Sequence, residues 1–246
     1  SSDVCSSDLT FTVTAINAGG TSLVSSASNQ TLTLPGAPTS VNATTTGSNS
    51  ATITFTAPSG TGTITEYRAT STPPASLIQS SSGTTITISS GLASNTNYMF
   101  SVTAITSSGP SLDSDYSNGI TTVSEAPTNV IATATGANSA IITVTAPTGD
   151  GSIEYRATST PSATLTQTSQ TWLENTVTIS SGLVSNTNYT FKVTVINAGG
   201  TSVASVASNN ILTFPNPPTN IKPTVTGANS STITFTAPTE IGRAHV

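Results

Sequence analysis

The stretch APTSVNATTTGSNSATITFTAP, residues 37–58, decides the fold. Within it Ala51, Ile53 and Phe55 alternate with Thr52, Thr54 and Thr56. A period of two puts the apolar side chains on one face of a strand and the threonines on the other, the pattern of a half-buried β-strand. The stretch then returns. Residues 126–147 read APTNVIATATGANSAIITVTAP, and residues 217–238 read PPTNIKPTVTGANSSTITFTAP. Pro38, Pro127 and Pro218 lie 89 and 91 residues apart, and Gly47, Gly136 and Gly227 keep the same spacings. Self-similarity at a fixed period marks a tandem array.

Working outward, EYRATSTP occurs at Glu66 and again at Glu154, GLASNTNYMFSVTAI at Gly91 matches GLVSNTNYTFKVTVI at Gly182, and INAGGTS occurs at Ile16 and Ile196. Two whole repeats are expected, 36–125 and 126–215. The last part of another precedes them (10–35) and the first part of a further one follows (216–240). Ile86 with Ile88, and Tyr98, Phe100, Val102 and Ala104, continue the period of two, while Gly, Pro, Asn and Ser separate the runs. No stretch has helical periodicity. About seven short strands in about 90 residues predict an all-β chain of antiparallel sandwiches. The joints LPGAPT, SEAPTN and FPNPPT are short and stiffened by proline, which predicts beads on a string.

The repeat resembles a fibronectin type III domain of the bacterial, Thr- and Ser-rich kind. The resemblance rests on the leading prolines Pro38, Pro127 and Pro218, the prolines after the second strand (Pro58, Pro147, Pro238), third-strand tyrosines Tyr67 and Tyr155, and a Leu-x5-Tyr corner. That corner is Leu92 to Tyr98 and Leu183 to Tyr189. The resemblance implies seven-stranded immunoglobulin-like sandwiches, with each corner tyrosine filling the core and its hydroxyl bonded to upstream backbone. The family's second-strand tryptophan is replaced by Phe55, Val144 and Phe235. The smaller Val144 predicts a less stable second repeat.

Chemistry has little to work with. Charged residues are 6% of the chain, against about 25% in ordinary domains. Five Lys and Arg among 246 residues, with a net charge of −5, leave no basic stripe for nucleic acid. No apolar run approaches the roughly 18 residues that span a bilayer. One cysteine excludes an internal disulfide framework, and residues 1–25 lack the pattern of a secretory signal. Between Thr10 and Thr239 there is neither His nor Cys, so the abundant hydroxyls have no histidine base and no Ser-x-x-Lys pattern to activate them. No enzyme, cofactor or metal is expected. Glu66 with Arg68, and Glu154 with Arg156, read as solubilising pairs on the outer face. Asp113 and Asp115 read as a solvated loop rather than a calcium site, with Tyr116 beside them as a contact residue or a lid on the sheet edge. Trp172, the only tryptophan, lies where the second repeat is longer: Pro161 to Leu183 spans 22 steps, Pro73 to Leu92 only 19. It reads as a sheet-edge cover, or as an aromatic that stacks on a sugar. There is no Arg-Gly-Asp triplet, and the sequons at Asn29 and Asn42 are expected by chance in so much Ser and Thr.

The ends do not fit the repeat. In register, position 9 should be the corner tyrosine and is Leu9, and FTAPTE breaks off into IGRAHV. IGRAHV is what the common short-read sequencing adapter AGATCGGAAGAGCACACGTCTGA encodes from its third base, followed by a stop codon. SSDVCSSDL is encoded by the complementary strand. Residues 1–9 and 241–246 are therefore expected to be adapter-derived, and to pack poorly or borrow a neighbour's edge. The remaining text is expected to be a fragment of a larger protein. Tandem modules without an active-site constellation predict a monomeric extracellular spacer or adhesion array, bacterial surface-bound or secreted, with a protein or glycan partner. Linker modules of a secreted polysaccharide-degrading enzyme and decoration domains of a phage structural protein are the alternatives.

Overall fold

The computed structural model describes residues 9–238 apart from 32, 60–62, 76, 78, 150, 152 and 171–174. The expectations for Trp172, for the residues before Leu9 and for 241–246 lie outside these residues. The described chain holds strands and no helix, so none is long and apolar enough to cross a membrane. It divides into two compact units at Thr122/Val123, each taken by itself below.

The first unit begins with β1 (Ile16–Asn17) and β2 (Gly20–Thr21), a short antiparallel pair. A sandwich follows: β3 (Thr39–Thr45), β4 (Ala51–Thr56), β5 (Ile64–Thr72), β6 (Ser80–Ser81), β7 (Thr85–Ile88), β8 (Asn97–Thr106), β9 (Gly109–Pro110) and β10 (Ile120–Thr121). One sheet runs β3-β4-β7 and the other β10-β8-β5-β6, with β9 also on β8. The second unit holds the corresponding sandwich: β11 (Thr128–Ala134), β12 (Ala140–Thr145), β13 (Glu154–Thr160), β14 (Thr166–Gln170), β15 (Thr176–Ser181), β16 (Asn188–Asn197), β17 (Gly200–Thr201) and β18 (Ile211–Leu212). It ends with the hairpin β19 (Thr219–Gly227) and β20 (Ser230–Thr236). Each sandwich has seven strands if the last is counted with its interruption.

Each core lies between the two sheets and is built from matching positions. Ala51, Ile53 and Phe55 are buried while Thr54 and Thr56 face out, as the alternation requires. Tyr67, Phe100, Val102 and Ile88 join them in the first core; Tyr155, Phe191, Val193 and Ile179 occupy the same places in the second. Phe55 packs its ring 4.7 Å from that of Tyr67. Val144 cannot, and there Tyr155 is almost wholly buried with its hydroxyl donating to Asn175 Oδ1 at 3.2 Å.

The first strand of each repeat carries a bulge. The β3–β4 register shifts between Thr39 and Asn42, and the shift recurs in β11 and β19. Ser40, Asn129 and Asn220 sit at it with φ of 54°, 50° and 56°. Asn tolerates this left-handed region better than Ser, so Pro-Thr-Asn encodes the bulge. Replacing Ser40 by Asn should raise the first repeat's melting temperature by a degree or a few, read by calorimetry.

The repeats differ where their lengths differ. In the first, Ser80–Ser81 pairs with Tyr67–Arg68 of β5. In the second, the corresponding segment β14 pairs with β15 in the opposite sheet, from Thr166↔Ser181 to Gln170↔Thr176. In sequence, Gln167 to Thr176 is nine steps where the corresponding Gln79 to Thr85 is six.

Candidate functional site

The corner tyrosines are buried at the start of the long strands β8 and β16, beside buried Leu92 and Leu183. The Ala93 N–H donates to the Tyr98 hydroxyl at 3.0 Å, and the Val184 N–H to that of Tyr189 at 3.1 Å. Each ring also stacks on the next inward aromatic, Phe100 or Phe191, at 6.1 Å. Tyr189→Phe removes the acceptor and should cost the second repeat about 1–2 kcal/mol, a melting shift of several degrees. Burial pushes the phenols of Tyr67 and Tyr155 above their ordinary value. In the unfolded chain they ionise near pH ~10, earlier than in the folded one. Stability from these groups is complete below that pH and is lost as pH climbs toward the folded values, so alkaline unfolding should set in above about pH 10.

The outward charged residues among those described are few and scattered. Arg68 lies 3.6 Å from Glu66, with 60% and 34% of their side chains exposed, a contact worth about 0–1 kcal/mol. Asp113 and Asp115 point to solvent, and no group of three or more metal-ligating side chains exists among the described residues. Tyr116 is 58% exposed, and its hydroxyl accepts a 3.4 Å bond from Thr72 Oγ1 at the end of β5.

The segment carrying these residues is solvated on one side, as its composition predicts, and bonded on the other. Ser111, Ser114 and Ser117 are buried, and the residues between them are exposed. Their N–H groups donate to the carbonyls of Ala104, Val102 and Phe100. Their hydroxyls accept from the N–H groups of the same three residues at 2.9, 2.9 and 3.1 Å, and donate onward to the carbonyl of the next residue. In an ordinary antiparallel pair a carbonyl would accept that N–H. Here the serine hydroxyl takes its place. Three residues of this segment therefore advance alongside two of β8, about 6.7 Å, less than an extended chain would cover. Ser202, Ser205 and Ser208 do the same on Val195, Val193 and Phe191 of β16. So do Ser22, Ser25 and Ser28 on Ala15, Val13 and Phe11.

An asparagine closes each full ladder. Asn118 accepts the Ala43 N–H through Oδ1 at 2.8 Å and donates to the Ala43 carbonyl at 3.0 Å, tying the ladder to β3. Asn209 bonds Ala132 identically. Asn209→Leu should lose both bonds and expose the Ala132 amide to hydrogen exchange, at a cost of about 1–3 kcal/mol. The signal for this structure is Ser-x-x-Ser-x-x-Ser-Asn, present at Ser22, Ser111 and Ser202.

With seven-stranded cores repeated position by position, sequence comparison supplies the deciding observation: residues 36–120 and 125–210 match the model of the fibronectin type III domain. The chain belongs to the fibronectin type III family. Solved fibronectin type III arrays resemble it at low identity. A two-domain segment of chicken tenascin is 16% identical with a TM-score of 0.39, covering 72% of this chain and 99% of its own. The FN1–FN3 domains of chicken CNTN1 are 16% identical with a TM-score of 0.35, covering 83% and 76%. The central fibronectin-III array of RIM-binding protein is 17% identical with a TM-score of 0.30, covering 82% and 79%. None of the curated proteins matches the chain in sequence. Fibronectin type III domains are in general structural modules.

Proposed function

We propose that this chain works in a non-catalytic extracellular spacer or adhesion array of a bacterial surface or secreted protein. The observation that carries the reading is two tandem cores matched position for position, with outer faces rich in Thr and Ser and few charges. Such faces hold little field to attract nonspecific partners. We read 10–35 and 216–240 as parts of further repeats. Support comes from register: Leu9 pairs with Thr31 as Tyr98 does with Ile120, and Thr219 with Thr236 as Thr128 does with Thr145.

The uninterrupted reading frame around this stretch is the test. A cell-wall anchor or an adhesin domain supports the array. A glycoside hydrolase domain would instead make the modules enzyme linkers, and a tail-protein domain would make them phage decoration. Trp172 carries the glycan version of the reading, and unchanged retention of Trp172→Ala on an immobilised polysaccharide that holds the native chain would sink it.

A further inference from the structure

We propose that the outer edge of β13 in the second repeat is a docking site for an extended, uncharged, Ser/Thr-rich segment of another polypeptide, added as a strand.

The sister repeats make the comparison internal. Glu66–Pro73 and Glu154–Pro161 are the same eight residues, EYRATSTP, on the same strand of the same fold. In the first repeat their outer edge is occupied: Ser80–Ser81 pairs with Tyr67–Arg68. In the second, the corresponding segment β14 lies beside β13 but pairs with β15, and among the described residues β16 is the one strand hydrogen-bonded to β13. What faces the edge is an open groove of about 680 Å³, walled on one side by Tyr155, Ala157 and Ser159 and on the other by Gln167 and Ser169.

The groove is polar in the way a missing strand requires. The Gln167 side chain crosses it, accepting the Ala157 N–H at 2.7 Å and donating to the Ala157 carbonyl at 3.1 Å. Ala157 therefore turns its backbone away from β16. By strand alternation Tyr155 and Ser159 turn theirs the same way, toward β14, and among the described residues no strand pairs with them there. Ser159 adds a hydroxyl oxygen that is buried without a hydrogen-bond partner. One amide side chain thus holds the place of a strand, satisfying one residue where a strand would satisfy three.

The first repeat shows what fits. The occupant in the first repeat is a serine pair within Gln79-Ser-Ser-Ser-Gly83, and the second repeat offers the same edge residues to it. Glu154 and Arg156 bring opposite charges to the rim, so recognition rests on main-chain hydrogen bonds rather than on net charge. An incoming strand replaces the Gln167 amide at Ala157 and gains the backbone of Tyr155 and Ser159. The inference is independent of whether the array is a stalk, a linker or a decoration module.

The probe is a capped synthetic peptide of residues 77–83, LIQSSSG, added to the full chain. Expected are saturable binding and slowed hydrogen exchange at the amides of Tyr155, Ala157 and Ser159, with the first repeat unchanged. Gln167→Ala, which removes the competing amide, should bind roughly three- to tenfold more tightly. A peptide N-methylated at its central serine should bind roughly tenfold more weakly or not at all. Absence of binding to both native chain and Gln167→Ala at millimolar peptide overturns the proposal, as does equal binding of the N-methylated peptide. A concentration-dependent dimer protected at the same amides would assign the edge to a second copy and overturn it too.

Discussion

The triple substitution Ser202, Ser205 and Ser208 to Ala should remove about 3 kcal/mol or more of the second repeat's stability while the first repeat is unaffected. Each hydroxyl is the acceptor for a buried N–H of β16, at Val195, Val193 and Phe191. Alanine keeps the backbone bond in the other direction but deletes this one together with the hydroxyl's onward bond to the next carbonyl, so each change orphans a buried donor. An unsatisfied buried group costs about 1–3 kcal/mol. Three amount to at least about 3 kcal/mol, and toward 9 where the costs add, against a typical domain stability of about 5–15 kcal/mol. Single Ser205→Ala should cost about 1–3 kcal/mol. Changing the intervening exposed Val203 and Val206 to Thr should stay within about 0.5 kcal/mol. Calorimetry of the whole chain reads both repeats, and hydrogen exchange at Val193 and Val195 locates the loss. A triple variant within about 1 kcal/mol of the native chain would show that water reaches these donors and that the ladder is decorative.

That ladder also marks the limit of what the sequence reveals. Strands with a period of two announce themselves because burial separates Ile, Phe and Val from Thr, and the residues of β4, β12 and β16 alternate in burial as their pattern requires, while β8 departs from it at buried Ser101 and Thr106. The corner is equally legible, since Leu-x5-Tyr joins two large apolar groups at a fixed spacing. A period of three written in serine is visible at Ser111, Ser114 and Ser117, yet serine is so common here that the spacing carries no apolar contrast. Its burial comes from hydrogen bonding to a neighbouring strand, which composition does not record. Asp113 and Asp115 drew the reading toward a loop because charge marks exposure; they are exposed, on a segment whose other face is bonded throughout. The sheet switch of β14 lies further still from local sequence. Gln79 and Gln167 occupy the same place in the two repeats, yet the first segment pairs with β5 and the second with β15.

Gly182→Ala should destabilise the second repeat by about 3 kcal/mol or more, lowering its melting temperature by roughly 15 °C. Gly182 follows β15 with φ of 111°, as its counterpart Gly91 does after β7 with 103°. A side chain in that region is strained by about 1–3 kcal/mol before any contact is considered. Here contact is severe as well. A Cβ on Gly182 would stand 2.1 Å from the Thr164 carbonyl oxygen and 3.1 Å from Leu165 Cα, both backbone atoms that no rotamer change can move aside. Relief requires shifting the chain that leads into β14, which would disturb Leu165 against the core and the Gln167 bonds to Ala157. Gly200 separates the two causes. Its φ is 130°, but a Cβ there meets only a Val123 methyl at an ordinary 3.7 Å. Gly200→Ala should therefore show the strain alone, about 1–3 kcal/mol. Equal losses for the two variants would mean that the lead-in to β14 yields freely, so that the close packing at Gly182 contributes nothing to holding that strand on β15. A larger loss at Gly182, with the Ala157 amide exchanging faster, is the expected result.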